Sequence, residues 1–191
     1  MNTPNGYTVV QIDPDVMPDE QLSRVARIHQ ALAHERVPED PLTPIELYMQ
    51  RSRAKTPGQW RAVFSARDAS GSDLGVALVG RSLNEPENAH VRWTEISVLP
   101  EHRRKGLGRE LLRAVVEICQ DQGTDLVFMG QTSDRVPAGP DFLRAIGASP
   151  GLDMKNNQLV LADVDRAKLA MWMRLDPKGY RLERADDVVP D

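Results

Sequence analysis

The sequence predicts an α/β (mixed α+β) domain in which a central mixed sheet of about six to seven strands carries helices on its faces. Three observations predict it. Short β-branched runs alternate with longer stretches whose apolar residues recur at helical spacing. Two strand-like runs are joined by a tight polar turn. One strand passes through a glycine-rich basic turn straight into an amphipathic helix.

In chain order, Tyr7 to Ile12 alternates as a first strand, closed by Asp13-Pro14. Pro18 to about His34 is a helix, with acids in its first turn and Leu22, Val25, Ala26, Ile28 and Leu32 as its apolar stripe. The proline-punctuated segment from Glu35 to Pro44 is expected as a loop. Pro44 to about Arg53 follows as a second helix, with Thr43 at its N-cap. Trp60 to Ala66 and Asp73 to Val79 pair as a hairpin about the turn at 69–72. Val91 to Leu99 is the next strand. From Gly108 to about Gln122 runs a helix with the stripe Leu111, Leu112, Val115, Val116 and Cys119, as packing on a sheet requires. Thr124 to Met129 is a buried-type strand, and Pro140 to about Ile146 a short helix ended by Gly147. Gln158 to Ala162 is a last strand and Val164 to about Leu175 a final helix. The order β-α-α-β-β-β-α-β-α-β joins an antiparallel front half to a βαβ unit.

Composition narrows the function classes. A chain of 191 residues buries a core without staples, and a formal charge of -4 speaks against a nucleic-acid partner. The single cysteine, Cys119, has no partner for a disulfide and sits on the apolar side of its helix as a small buried hydrophobe. No apolar run is long enough to span a membrane, the N-terminus does not read as a signal peptide, and no metal-ligand set is expected. A cytoplasmic location is the expectation.

The most informative stretch runs from Ile96 to Leu112. A strand ending in Val98-x-Pro100 leads into Arg103-Arg104-Lys105, then Gly106-Leu107-Gly108-Arg109 and a Leu-Leu helix. Glycines let the backbone approach an anion closely, helix N-terminal N–H groups point at it, and adjacent cations add charge; together they make a pyrophosphate cradle.

Val98, Pro100, Arg103, Gly106, Gly108 and Leu111 fall in register with V-x-P-x-x-R/Q-x-x-G-x-G/A-x-x-L. The segment therefore resembles the coenzyme A-binding motif of the GNAT superfamily of N-acyltransferases. The resemblance implies a domain that binds acetyl-CoA and acetylates a primary amine of a small molecule by direct attack in a ternary complex. It implies a pyrophosphate held by Arg103, Arg104, Lys105, Gly106, Leu107, Gly108 and Arg109. It also implies a thioester and pantetheine chain that meet the main chain of Ile96, Ser97 and Val98. The apolar phase of the strand changes between Val91/Trp93 and Ile96/Val98. That change, like the resemblance, predicts a β-bulge near Thr94–Glu95 that turns an N–H toward the acetyl carbonyl.

An alkylammonium, with a pKa of about 10, must lose a proton before it attacks. Glu95 is the first candidate base, against the alternative of an ordinary surface glutamate, and His90 the second. For the acid, the family places a tyrosine where this chain has Leu143, in Asp141-Phe142-Leu143-Arg144-Ala145-Ile146-Gly147. Leucine has no proton to give, so water or Ser133 is left. Glu35, Glu39 and Asp40 are candidates to attract a cationic amine, or are plain surface charges. The missing tyrosine keeps a second reading open, a degenerate module that binds coenzyme A or only supports a catalytic partner domain.

The two ends of the chain echo each other. Gly6-Tyr7 opens a run that closes on Val16-Met17-Pro18-Asp19, and Gly179-Tyr180 one that closes on Val188-Val189-Pro190-Asp191. The expected division is therefore a GNAT domain at 1–163, then a linking helix and the first strand of a second copy at 164–191. That organisation is similar to tandem members of the family such as mycothiol synthase. A second domain or a homodimer is the partner this expects.

Overall fold

The computed structural model describes residues 6–123, 125–155, 157 and 159–174. The chain divides into two compact units, 1–149 and 150–191.

The first unit holds one five-stranded sheet in the order β1 (Thr8–Ile12), β2 (Gln59–Arg67), β3 (Asp73–Ser82), β4 (Val91–Val98), β5 (Val127–Met129). The first four strands run antiparallel to their neighbours, and β5 runs parallel to β4. The sheet is thus mixed, as expected, with fewer strands than the sequence suggests. On one face lie α1 (Asp19–Arg36) and α2 (Ile45–Arg53); on the other lies α3 (Leu107–Cys119), and α4 (Ala138–Ala145) follows β5.

Strand alternation divides the core between these faces. Val9, Ala62, Phe64, Ala66, Ala77 and Val79 pack against Leu107, Leu111, Ala114, Val115 and Cys119 of α3. Ile12 and Val76 pack against Leu22, Val25, Ile28 and Leu32 of α1, with Val10 and Val63 at the margin. The predicted α1 stripe is the buried one. On α3 the buried face is rotated from expectation: Glu110 and Ala114 are inside, and Val116 is exposed. Small residues on β2 and β3 leave room for α3 to sit close to the sheet. Gly80 does the same on the other face, where a Cβ would overlap the Trp93 ring.

Three local expectations are corrected. Thr43 does not cap α2; Pro44 holds that position, and the Thr43 carbonyl accepts from Gln30 Nε2 at 2.6 Å. Glu35 lies in the last turn of α1 and not in a loop. The bulge expected near Thr94–Glu95 is absent, for β4 pairs with β3 without a register shift from Trp93 to Val98. The apolar phase changes because Arg92 occupies an inward position, wholly buried, its Nη1 donating to the carbonyls of Ala89 and Val91 at 2.8 and 2.9 Å. The sheet's register shift lies instead at Ala66/Arg67, opposite Leu74.

In the second unit, Asp165 caps α5 (Arg166–Met173) by accepting from the N–H groups of Ala167 and Lys168. The strand expected at Gln158–Ala162 does not form among the described residues. Leu161–Asp163 make a 3-10 turn, and Leu159, Val160 and Leu161 stay exposed. An apolar run becomes a strand only beside an edge to pair with, and no strand occurs among the described residues of this unit. The echo at 179–191 falls outside the described residues.

Candidate active site

The outer edge of β4 and the loop after it form one continuous feature. Pairing between β4 and β5 ends at Trp93–Met129, so Thr94 to Val98 continue without a strand partner on that side among the described residues. A free strand edge presents alternating N–H and C=O groups. Here the edge carries the half-buried Ile96, Ser97 and Val98. Any main-chain donor that β4 offers on this side is thus an edge group and not a bulge.

Beyond β4, Pro100–His102 make a 3-10 turn. Arg104 adopts φ 63° and Gly106 φ 86°, both left-handed, and α3 starts at Leu107. Gly106 is required there by its backbone, whereas Arg104 carries strain. Arg109 and Glu110 donate their N–H groups to the Gly106 carbonyl at 3.0 and 3.2 Å. The N–H groups of Arg104, Lys105, Gly106, Leu107 and Gly108 find no acceptor among the described residues. Consecutive unpaired donors at a helix N-terminus form an anion-binding concavity. Arg104, Lys105 and Arg109 are exposed around it, with Lys105 Nζ reaching back to the Glu101 carbonyl at 2.9 Å. Phe142 of α4 covers Gly108, where an added Cβ would lie 3.2 Å from the ring.

Arg103 is differently employed. Its Nε donates to the Val98 carbonyl at 2.9 Å, and its two Nη groups clasp the Glu35 carboxylate at 2.7 and 2.5 Å. This bidentate pair ties the loop to the end of α1. The hydrogen bonds from Arg103 hold the Glu35 carboxyl below the ordinary glutamate range. Glu39, in turn, pairs with Arg135 at 2.6 Å. Of the three acids expected to draw an amine, then, Glu35 and Glu39 have their charge engaged by arginines.

On the α1–α2 face, Glu95 projects from the middle of β4 and is exposed, and Ser97 Oγ donates to its Oε1 at 3.3 Å. Beside it stands His29 of α1, stacked on Tyr48 of α2 with ring centroids 6.3 Å apart and an interplanar angle of 16°. His29 and Glu95 line one small cavity, closed by Val63, Val76, Ala77 and Leu78. Burial lowers the His29 pKa, partly opposed by the charge of Glu95. His29 escaped the sequence reading, yet a signal existed. Positions 22, 25, 29 and 32 keep helical stripe spacing, and a histidine stands where that stripe demands an apolar residue.

Neither of the other two candidates makes a hydrogen bond with Glu95 among the described residues. His90 precedes β4 and is exposed, five residues away, roughly 17 Å along an extended strand. Ser133 lies in the turn before α4, its Oγ accepting from the Arg135 N–H at 3.3 Å. Leu143 is half-buried on α4. Among the described residues no cluster of metal ligands occurs, and no helix is long and apolar enough to cross a membrane.

The profile of the acetyltransferase (GNAT) family matches residues 28–147, which include α1, β4, the loop and α3. The chain belongs to the GNAT family. Solved structures share its fold at low identity. An integron cassette protein from the mobile metagenome of V. cholerae is 15% identical with a TM-score of 0.60, over 86% of this chain and 98% of that one. The aminoglycoside acetyltransferase AAC(6')-Iy, solved with a CoA-linked bisubstrate analogue, is 18% identical with a TM-score of 0.55, over 81% and 98%. YncA of Salmonella typhimurium, a putative acetyltransferase solved with acetyl-CoA, is 17% identical with a TM-score of 0.57, over 74% and 78%. No curated protein matches the sequence.

Proposed function

We propose that this GNAT domain transfers an acetyl group from acetyl-CoA to a primary amine of a small molecule, by direct attack in a ternary complex. The observation that carries the reading is the run of unpaired N–H groups from Arg104 to Gly108, ringed by Arg104, Lys105 and Arg109, at the end of an opened strand edge. That donor set fits a pyrophosphate: the N–H groups fix direction, and the cations match its charge. The coenzyme, when bound, supplies the acetyl thioester. Ile96, Ser97 and Val98 offer edge groups to the acyl chain, and a free N–H there stabilises negative charge on a carbonyl oxygen. Glu95 takes the proton from the acceptor ammonium. With Leu143 in the tyrosine position, Ser133 or water gives a proton to the departing thiolate.

Leu143 also supports a second reading, a module that binds coenzyme A without turning over. One experiment separates them: thiol release from acetyl-CoA by the full chain, across a panel of small amines that includes aminoglycosides. Amine-dependent release is expected. Tight coenzyme binding with no release from any amine selects the module.

A further inference from the structure

Glu95 is exposed on β4, but the cavity it shares with His29 lies between β4, α1 and the apolar residues of β2 and β3. The two side chains make no direct hydrogen bond among the described residues, and the cavity has room for about one water molecule. Its other walls, Val63, Val76, Ala77 and Leu78, offer side chains without polar atoms. Of the residues lining it, only His29 and Glu95 have side chains able to hydrogen-bond a water. Tyr48 fixes the ring from the α2 side by stacking on it.

We propose that His29 is the second member of the proton path at this site and relieves Glu95, through one bridging water, of the proton taken from the acceptor ammonium. The inference rests on the acetyltransferase reading above. The proton balance closes. The ammonium N–H bond breaks and the Glu95 carboxyl forms; that O–H then gives its proton to the water as the water gives one to the imidazole. The site is left with a free amine, a Glu95 carboxylate and an imidazolium, which returns the proton to solvent between turnovers. Two charged groups act on the ring. Glu95 on β4 favours the imidazolium and Arg36 on α1 disfavours it, while Tyr48 of α2 stacks on the ring. Burial outweighs the Glu95 attraction, so the ring stands neutral near pH 7 and is ready to accept a proton.

The test has two arms on the full chain. Proton NMR titration follows the chain's four histidines, with His29→Gln identifying the His29 signal. The His29 midpoint is expected below that of a free histidine and falls further in Glu95→Gln, which removes the favourable charge. A midpoint that Glu95→Gln leaves unmoved overturns the pairing. In steady-state kinetics, His29→Gln keeps a polar side chain in the cavity but cannot take the proton. It is expected to lose about 100-fold in kcat with the KM for acetyl-CoA unchanged, and its acid limb is expected to follow Glu95 alone. A variant with wild-type kcat and pH profile overturns the relay. If the wild type acetylates no amine, the acetyltransferase reading fails and takes the relay with it, while the NMR arm still decides the His29–Glu95 coupling.

Discussion

The proposed cofactor loop and the proposed acceptor face are built in opposite ways. The loop from Val98 to Arg109 is contiguous, and its working groups are backbone N–H donors fixed by left-handed turns at Arg104 and Gly106. The acceptor face is assembled from His29, Tyr48 and Glu95 on three different elements, and its working groups are side chains. A backbone site needs little beyond correct local conformation, so it is robust and leaves a spacing pattern in the sequence. A side-chain site depends on how α1, α2 and β4 pack, so it is adaptable and leaves almost no local trace. The Arg103–Glu35 clasp is the one ion pair joining the two regions among the described residues.

Each region breaks in its own way. The largest effect is expected from Glu95→Gln, which should lower kcat by about 10²- to 10⁴-fold while acetyl-CoA affinity by calorimetry stays unchanged. Lost affinity would show that the two regions are not separable. Glu35→Gln tests the bridge. It should cost about 1 kcal/mol of stability at most, since both partners are partly exposed, and weaken acetyl-CoA by up to about fivefold as the loop loses its anchor. The same pair predicts the sign of a pH effect. Because the folded-state pKa of Glu35 is depressed, its contribution is complete above the unfolded glutamate value of about 4.3 and is lost as pH falls through the lower folded value. Urea melts of wild type and Glu35→Gln should therefore converge on acidification; a difference that persists below that range contradicts the clasp. Smallest is Arg104→Gly, which should raise stability by about 0.5–1 kcal/mol by relieving the left-handed backbone, yet weaken acetyl-CoA by about threefold through the lost cation. A change of the same sign in both quantities would mean that Arg104 works through its backbone alone.

What could be read from the sequence follows the same division. Strand and helix positions in the first unit were legible because their periodicities are local, and the turn into α3 was legible because the left-handed backbone of Gly106 is a local requirement. Arg103 was misread. Its type fits a pyrophosphate, but its guanidinium is claimed by Glu35, 68 residues away in sequence. The phase change in β4 was misread for a related reason: Arg92 at an inward position looks polar and therefore outward, though it is wholly buried. His29 was passed over because a histidine within an apolar stripe reads as core until Glu95 is seen beside it. The strand expected at Gln158–Ala162 does not form among the described residues, because composition alone supplies no pairing edge.

Calorimetric titration of the full chain with acetyl-CoA, alongside Gly106→Glu, tests the central claim most directly. Gly106 is left-handed at the start of α3, and a glutamate there is strained and sets a carboxylate among the donors meant for an anion. The account predicts saturable binding to the wild type and its loss by more than about 100-fold, or about 3 kcal/mol, in a variant that still melts cooperatively. A wild type that does not bind, or a folded variant that binds as well as the wild type, would contradict it.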